Sequence, residues 1–489
     1  SAFITANTPS HVANSAASYA NSAFATANSS SVSAATPTTL GGVYASTTSN
    51  YCNTFVGYCS GNTTTTGYGN FAGNYCALNS NTTGINNTAI GFKALGKNTI
   101  GSSNVAIGKY ALWYNTSGNY NFAAGNSTLT NNTIGNSNSA IGYLALINNT
   151  TGSNNTAIGE AALQFNFTGV NNVAIGYCAL YSNNSDNNIA IGNNALFNNT
   201  TGGNNFASGY QALYSNVYGN NNFASGYQAL YSDIGSCDKI AIGYQSMYWN
   251  TTYGQSNIGL GYQTLYCNLY GSSNIALGCN TLRNNKGGTY NVALGREALY
   301  TNDGSNNIAI GFRTLYCNTT GSFNVAQGYQ ALFCNTIGNS NTAIGCNALQ
   351  FNIDGNNNTA IGTYALRCNT AGVNNTAIGS NALPCNTTGI NNTAIGYGSL
   401  YSNTTGKNNT ALGYYTLRGN TSGVNNIAIG GSALYCNMYG KNNIAIGNGS
   451  MSYATCGCQN IGIGQNTFRE TESLNETSLH QAAFALGVP

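Results

Sequence analysis

The chain has 489 residues, of which 42% are hydrophobic, only 5% are charged and 62 are glycine. A soluble globular domain carries about 25% charged residues, so this length does not translate into a row of ordinary domains. A net charge of +3 gives no basic stripe for nucleic acid, and no run of 18 apolar residues offers a membrane-spanning helix.

Low charge with this much Gly and Asn is compatible with disorder, but the apolar residues recur at fixed intervals, which argues for a folded chain. Ser1 is not followed by the charged-then-apolar pattern of a secretory leader, so we expect that a leader was removed or never used. In residues 1–40, Ala6-Asn7, Ala13-Asn14, Ala20-Asn21 and Ala27-Asn28 recur every seven residues. Seven-residue Ala repeats predict a slender coiled coil or an extended stalk, interrupted at Pro9. A flexible Ser/Ala-rich linker is the alternative. Such Ala-Asn-Ser-Ala heptads resemble segments of tailed-phage fibre proteins.

Residues 41–464 are governed by a repeat. Ala-Ile-Gly and its variants place an anchor glycine from Gly57 to Gly464, with Asn74 filling one slot. Of the 24 steps between these 25 anchors, 21 are 17 residues long, two are 16 and one is 18. Four residues before the anchor stands an Asn in nearly every copy (Asn87, Asn155, Asn324, Asn443), with Ala two before and Ile or Leu one before. Four after it is Leu (Leu95, Leu146, Leu230, Leu349), seven after it Asn, and ten after it usually Gly. The off-length steps change in the Asn-to-Gly stretch, where a loop tolerates it.

Seventeen residues are too few for a helical hairpin and carry no 3.6-residue apolar stripe. The unit reads as two short strands on either side of the anchor, with Asn and Gly marking the turns. We therefore predict an all-β parallel β-solenoid of about 25 coils, rising roughly 120 Å at the strand spacing. Stacking would convert each column into a ladder. The Asn column at Asn98, Asn115, Asn149, Asn318, Asn335, Asn369 and Asn386 suits one, because an amide donates to one neighbour and accepts from the other. The Ala and Ile before the anchor lie on opposite faces of a strand, as do the small residue and Leu after it, yet all are apolar. Such strands want burial on both faces, which predicts association around an axis.

Repeats of the form Asn-x-Ala-Ile-Gly-x-x-Ala-Leu resemble the head repeats of trimeric autotransporter adhesins, the YadA-like β-roll, over residues 53 to about 464. The resemblance implies a left-handed β-roll and a homotrimer. The 17-residue period exceeds that family's typical one, which implies longer turns; residues 465–489 carry no membrane-anchor barrel pattern, and the N-terminal segment is unlike theirs. Residues 465–489 gather Glu470, Glu472 and Glu476, and Thr477 to Leu486 is expected to form a short helix capping the last coil. Without a robust cap, end-to-end stacking into filaments stays open.

Catalysis is not expected, and neither is a cofactor. The histidines, His11 and His480, lie outside the repeats, and the acidic residues between anchors fall in different columns. Gly91 to Asn98 imitates a phosphate loop but has Asn where the hydroxyl residue belongs, and reads as an ordinary coil. No column supplies an Asp per repeat for calcium, and no paired C-x-x-C motifs suggest zinc. Of 15 cysteines, Cys317 with Cys334, Cys368 with Cys385, and Cys59 with Cys76 sit one coil apart in shared columns. Stacking brings such Cα atoms to about 5 Å, within disulfide range, so they are candidate staples in an oxidising setting; small buried thiols are the equal alternative.

Tyrosines concentrate one and five residues after the anchor. Tyr210, Tyr227, Tyr244 and Tyr262 form one run, Tyr214, Tyr231, Tyr248 and Tyr266 a second, accompanied by Gln211, Gln228, Gln245 and Gln263. Both runs are expected to face outward as an aromatic-amide strip able to stack sugars with avidity; rings that merely shield the sheet are the alternative. Asn-x-Thr/Ser sequons such as Asn81, Asn115 and Asn386 mostly follow from the Asn- and Thr-rich composition; those in the Asn ladder are expected to be sterically closed to glycosylation, which stays open only at loop positions. The expected function is a non-enzymatic extracellular attachment fibre, on a virion or a cell surface, that meets a host glycan or receptor, with no nucleic acid and no membrane insertion. A self-assembling matrix filament is the rival class. An ice-binding surface is disfavoured because the residue three before the anchor is Thr in only some coils, such as Thr342 and Thr359.

Overall fold

The computed structural model describes the backbone of residues 43–44, 52–62, 65–250, 253–468 and 484–486, with side chains from 52 to 468 within those ranges. The stalk of residues 1–40, with His11, and most of 465–489, with His480 and the glutamates, lie outside the described residues. The chain divides into two units, Ser1–Ile191 and Gly192–Pro489, split at the 16-residue step before Gly192.

Each unit is a parallel β-solenoid, and the 25 anchors bound about 24 turns. One three-residue strand per coil occupies the positions just before the anchor, as in Thr88–Ile90 of the first unit and Thr359–Ile361 of the second. Its register repeats residue for residue: Thr359 pairs with Thr376, Ala360 with Ala377, Ile361 with Ile378. The 18-residue step leaves that register intact, since Ile240 still pairs with Ile258, and so does the 16-residue step from Val292 to Ile308. Length variation is absorbed between the Asn and Gly columns: Asn302 Nδ2 reaches the carbonyl of Gly304 at 2.8 Å, two residues on, where a regular coil bonds the third.

The anchor is glycine in every coil but that of Asn74, for two reasons seen at Gly345. Its φ lies in the left-handed half of the map, +133° at Gly345, and a Cβ there would stand 2.7 Å from backbone atoms of Gly362 in the next coil. Beyond the anchor the second expected strand is absent. Residues two and four after it take φ near +50°, as at Gln228 and Leu230, so this stretch is a chain of turns. Among the described residues four such segments, Trp249–Asn250, Cys267–Asn268, Asn284–Asn285 and Thr301–Asn302, form a second small parallel sheet.

Turn geometry removes strand alternation, so Ala229 and Leu230 both point inward and are fully buried. The strand does alternate: Ala360 is buried, while its neighbours face out. Apolar residues on both faces therefore need a partner only at the strand. The expected helix to Leu486 is also corrected. Phe484–Leu486 is a strand paired in parallel with Ile461–Ile463, and residues 477–483 lie outside the described residues. At the other edge, Val43–Tyr44 pairs antiparallel with Thr54–Val56.

Two asparagine ladders line the interior. In the column seven after the anchor, each Nδ2 donates to the Oδ1 one coil earlier: Asn115 to Asn98 at 2.7 Å, Asn149 to Asn132 at 2.8 Å, Asn335 to Asn318 at 2.8 Å and Asn386 to Asn369 at 2.7 Å. The column four before the anchor forms a second ladder. Asn104 Oδ1 accepts both the backbone N–H and the Nδ2 of Asn121, at 2.9 and 3.1 Å. The two ladders converge on one carbonyl, that of Gly118, which accepts from Asn104 at 2.8 Å and from Asn115 at 3.0 Å.

Candidate binding surface

Within the second unit, successive coils carry the two tyrosine runs on the turn that follows the anchor. Tyr210, Tyr227, Tyr244 and Tyr262 stack with ring centroids 5.1–5.2 Å apart and planes within 13°. They are 42–49% exposed. Tyr214, Tyr231, Tyr248 and Tyr266 stack equally well, at 5.0–5.3 Å, but are half-buried. Burial, together with its stacked neighbours Tyr231 and Tyr266, holds the Tyr248 phenol above its ordinary range. The expectation that both runs face outward is thus met in full only by the first.

Between the runs lies an amide ladder. Gln228 Nε2 donates to Gln211 Oε1 at 2.9 Å, Gln245 to Gln228 at 3.0 Å and Gln263 to Gln245 at 2.9 Å. Arg283 ends both rows: its guanidinium lies 4.7 Å from the Tyr266 ring centroid, and its Nε donates to Gln263 Oε1 at 3.3 Å. In the next coils the amide column turns ionic. Glu297 accepts from Arg313 Nε at 2.6 Å and from Arg296 Nε at 3.2 Å, and the hydrogen bond from Arg313 holds its carboxyl below the ordinary value.

This geometry restricts the chemistry. An interior ring such as Tyr227 or Tyr244 has a neighbour over each face, so it presents its edge and hydroxyl rather than an open face to a ligand. The strip therefore offers rows of hydroxyls and amides at the coil spacing, with free ring faces only at its ends. Neither a protein-family model nor a curated protein matches this chain. Arg283 and the Glu297–Arg313 pair were absent from the sequence-based candidates; the signal available was a charged residue soon after the local run of Tyr (Tyr214 to Tyr266) or of Gln (Gln211 to Gln263) in the same column.

All 15 cysteines are thiols in this structure. Cys317, Cys334, Cys368 and Cys385 share a half-buried column, and burial pushes the thiols of Cys317, Cys334 and Cys385 up. Cys76 is raised first by burial and then by its hydrogen bond with Cys59, one coil away. Raised thiols are poor thiolate donors, which slows oxidation at these sites. Among the described residues no group of three or more His, Cys, Asp or Glu is placed to hold a metal ion, and no helix is long and apolar enough to cross a membrane.

Proposed function

We propose that the chain is a non-enzymatic structural fibre, trimeric and extracellular, projecting from a virion or a cell and attaching through its repetitive Tyr/Asn-rich surface to a host glycan or receptor. The observation that carries this reading is the outer face of the strand column. Ile90 and Ile107 in the first unit, and Ile395, Ile429 and Ile446 in the second, stand 37–42% exposed on a single chain, all in the column one before the anchor. A column of exposed apolar side chains repeated this often asks for a covering surface, and identical chains supply one by symmetry. Contact with a glycan is read as hydroxyl and amide recognition along the strip rather than as ring stacking, with avidity from repetition. End-to-end polymerisation is the weaker reading, because the outer edges of Thr54–Val56 and Ile461–Ile463 are paired with Val43–Tyr44 and Phe484–Leu486.

Native mass spectrometry of the full chain tests the proposal. A species of three chains is expected, and replacing Ile395, Ile429 and Ile446 with Lys should shift the population towards single chains. A wild-type protein that stays a single chain at micromolar concentration would remove the trimer.

A further inference from the structure

Between Asn81 and Asn437 the inner Asn ladder is broken once, at Asp233, and between Asn53 and Asn460 the other ladder is broken once, at Lys239. Ser236, between them, replaces the usual Gly. All three are fully buried. Lys239 Nζ lies 3.1 Å from Asp233 Oδ1 and contacts Ser236 Oγ. With the Asn250 carboxamide turned so that its nitrogen donates to the Asn268 carbonyl at 2.7 Å, its oxygen meets Lys239 Nζ.

A simple ion pair leaves this site unsatisfied. In the preceding coil Asn216 Nδ2 donates to Asn199 Oδ1 at 2.8 Å. Asp233 has no N–H to continue the row, and Asn216 Oδ1 and Asp233 Oδ2 are both buried without a hydrogen-bond partner. A proton on Asp233 Oδ2 would restore to the row the donor that an Asn supplies in the other coils. Burial pushes the Asp233 carboxyl up and the Lys239 amine down, against their mutual attraction, which favours the neutral acid beside the neutral amine. A neutral amine has a lone pair, and here it lies against a carboxamide held in place by its hydrogen bond to the Asn268 carbonyl.

We infer that Lys239 and Asn250 become joined by an autocatalytic isopeptide bond, with Asp233 as the proton-transfer group. The Lys239 nitrogen adds to Cγ of Asn250 while Asp233 gives its proton to the carboxamide. Asp233 then takes a proton from the attacking nitrogen and delivers one to the departing Nδ2. The Cγ–Nδ2 bond breaks, ammonia leaves, the proton on the former carboxamide oxygen returns to Asp233, and an amide links the two side chains; nothing is oxidised or reduced. The link would brace the interior of the coil that carries Tyr244 and Tyr248, beside the one 18-residue step. It is independent of what the tyrosine strip binds.

Denaturing mass spectrometry of the intact chain, followed by tryptic peptide sequencing, tests the inference. The chain should be lighter than its sequence by one ammonia, trypsin should fail to cut after Lys239, and a branched peptide should join Lys239 to Asn250. Lys239→Arg and Asp233→Ala should both restore the full mass. An unmodified wild-type mass, a loss of water instead of ammonia, or a loss that persists in Lys239→Arg would overturn it. The wild-type branched peptide decides the matter even if a variant fails to fold.

Discussion

At Gly345 the backbone conformation and the approach of the next coil act on the same atom, since a side chain would be strained by φ and would meet Gly362. Gly345→Ala is expected to destabilise the fold by about 2 kcal/mol or more, combining left-handed strain with displacement of a packed backbone. Gly287→Ala serves as the control, because a Cβ there meets nothing within 4 Å; its unfolding midpoint in denaturant should stay within error of the wild type. Glu297 gives a residue-level prediction about pH. The hydrogen bond from Arg313 depresses its folded-state value below the ordinary 4.5. The stability it contributes is therefore full above the ordinary value and is lost as pH falls through the depressed one. Thermal unfolding should show Glu297→Gln less stable than wild type at neutral pH, with the gap closing as the pH drops below about 4.

The coil is the unit of this fold, and its two halves were not equally readable. The strand before the anchor follows from the alternation of Asn, Ala and Ile, and its register follows from the constant spacing. The second half misled because Ala-Leu looks like strand sequence, whereas Leu230 sits at positive φ, a conformation that Leu adopts only under tertiary constraint. That constraint is visible: the Leu230 N–H donates to the Ser246 carbonyl of the next coil at 3.0 Å, and the side chain is fully buried. The ladders hold the coils in step. Asn335→Ala removes the donor to Asn318 Oδ1, one of the two side-chain donors to the Gly338 carbonyl and one of the two acceptors of Asn352 Nδ2. A cost of about 2 kcal/mol is expected from the buried Asn318 Oδ1 left unpaired and the ladder bonds lost on either side. Chemical denaturation of the full chain should reveal it, and Asn339→Ala, an exposed amide in the same turn, should cost far less.

Across the whole molecule, identical columns make a surface that repeats with the coil. Four stacked tyrosines, four hydrogen-bonded glutamines and one terminal arginine act as a single strip only because the second unit keeps its register through the 18-residue step. Replacing Tyr210, Tyr227, Tyr244 and Tyr262 with Ser should reduce binding to host cells or a glycan array by more than tenfold if the strip is the contact surface, since multivalent contacts are lost together. Unchanged binding would leave the rings with a shielding role alone. The period, the all-β class, the anchor glycines and the ladder-forming asparagines were fixed by the sequence itself, because a repeat that meets itself one coil later places like beside like whatever the details. Which apolar residues face inward, and which tyrosines are reachable, was decided only by tertiary structure. Left-handed turns break the alternation from which facing is inferred, and stacking consumes the ring faces that a sequence counts as free. Lys239 meeting Asp233 and Asn250 belongs to the same class, since their proximity depends on how one coil closes upon itself.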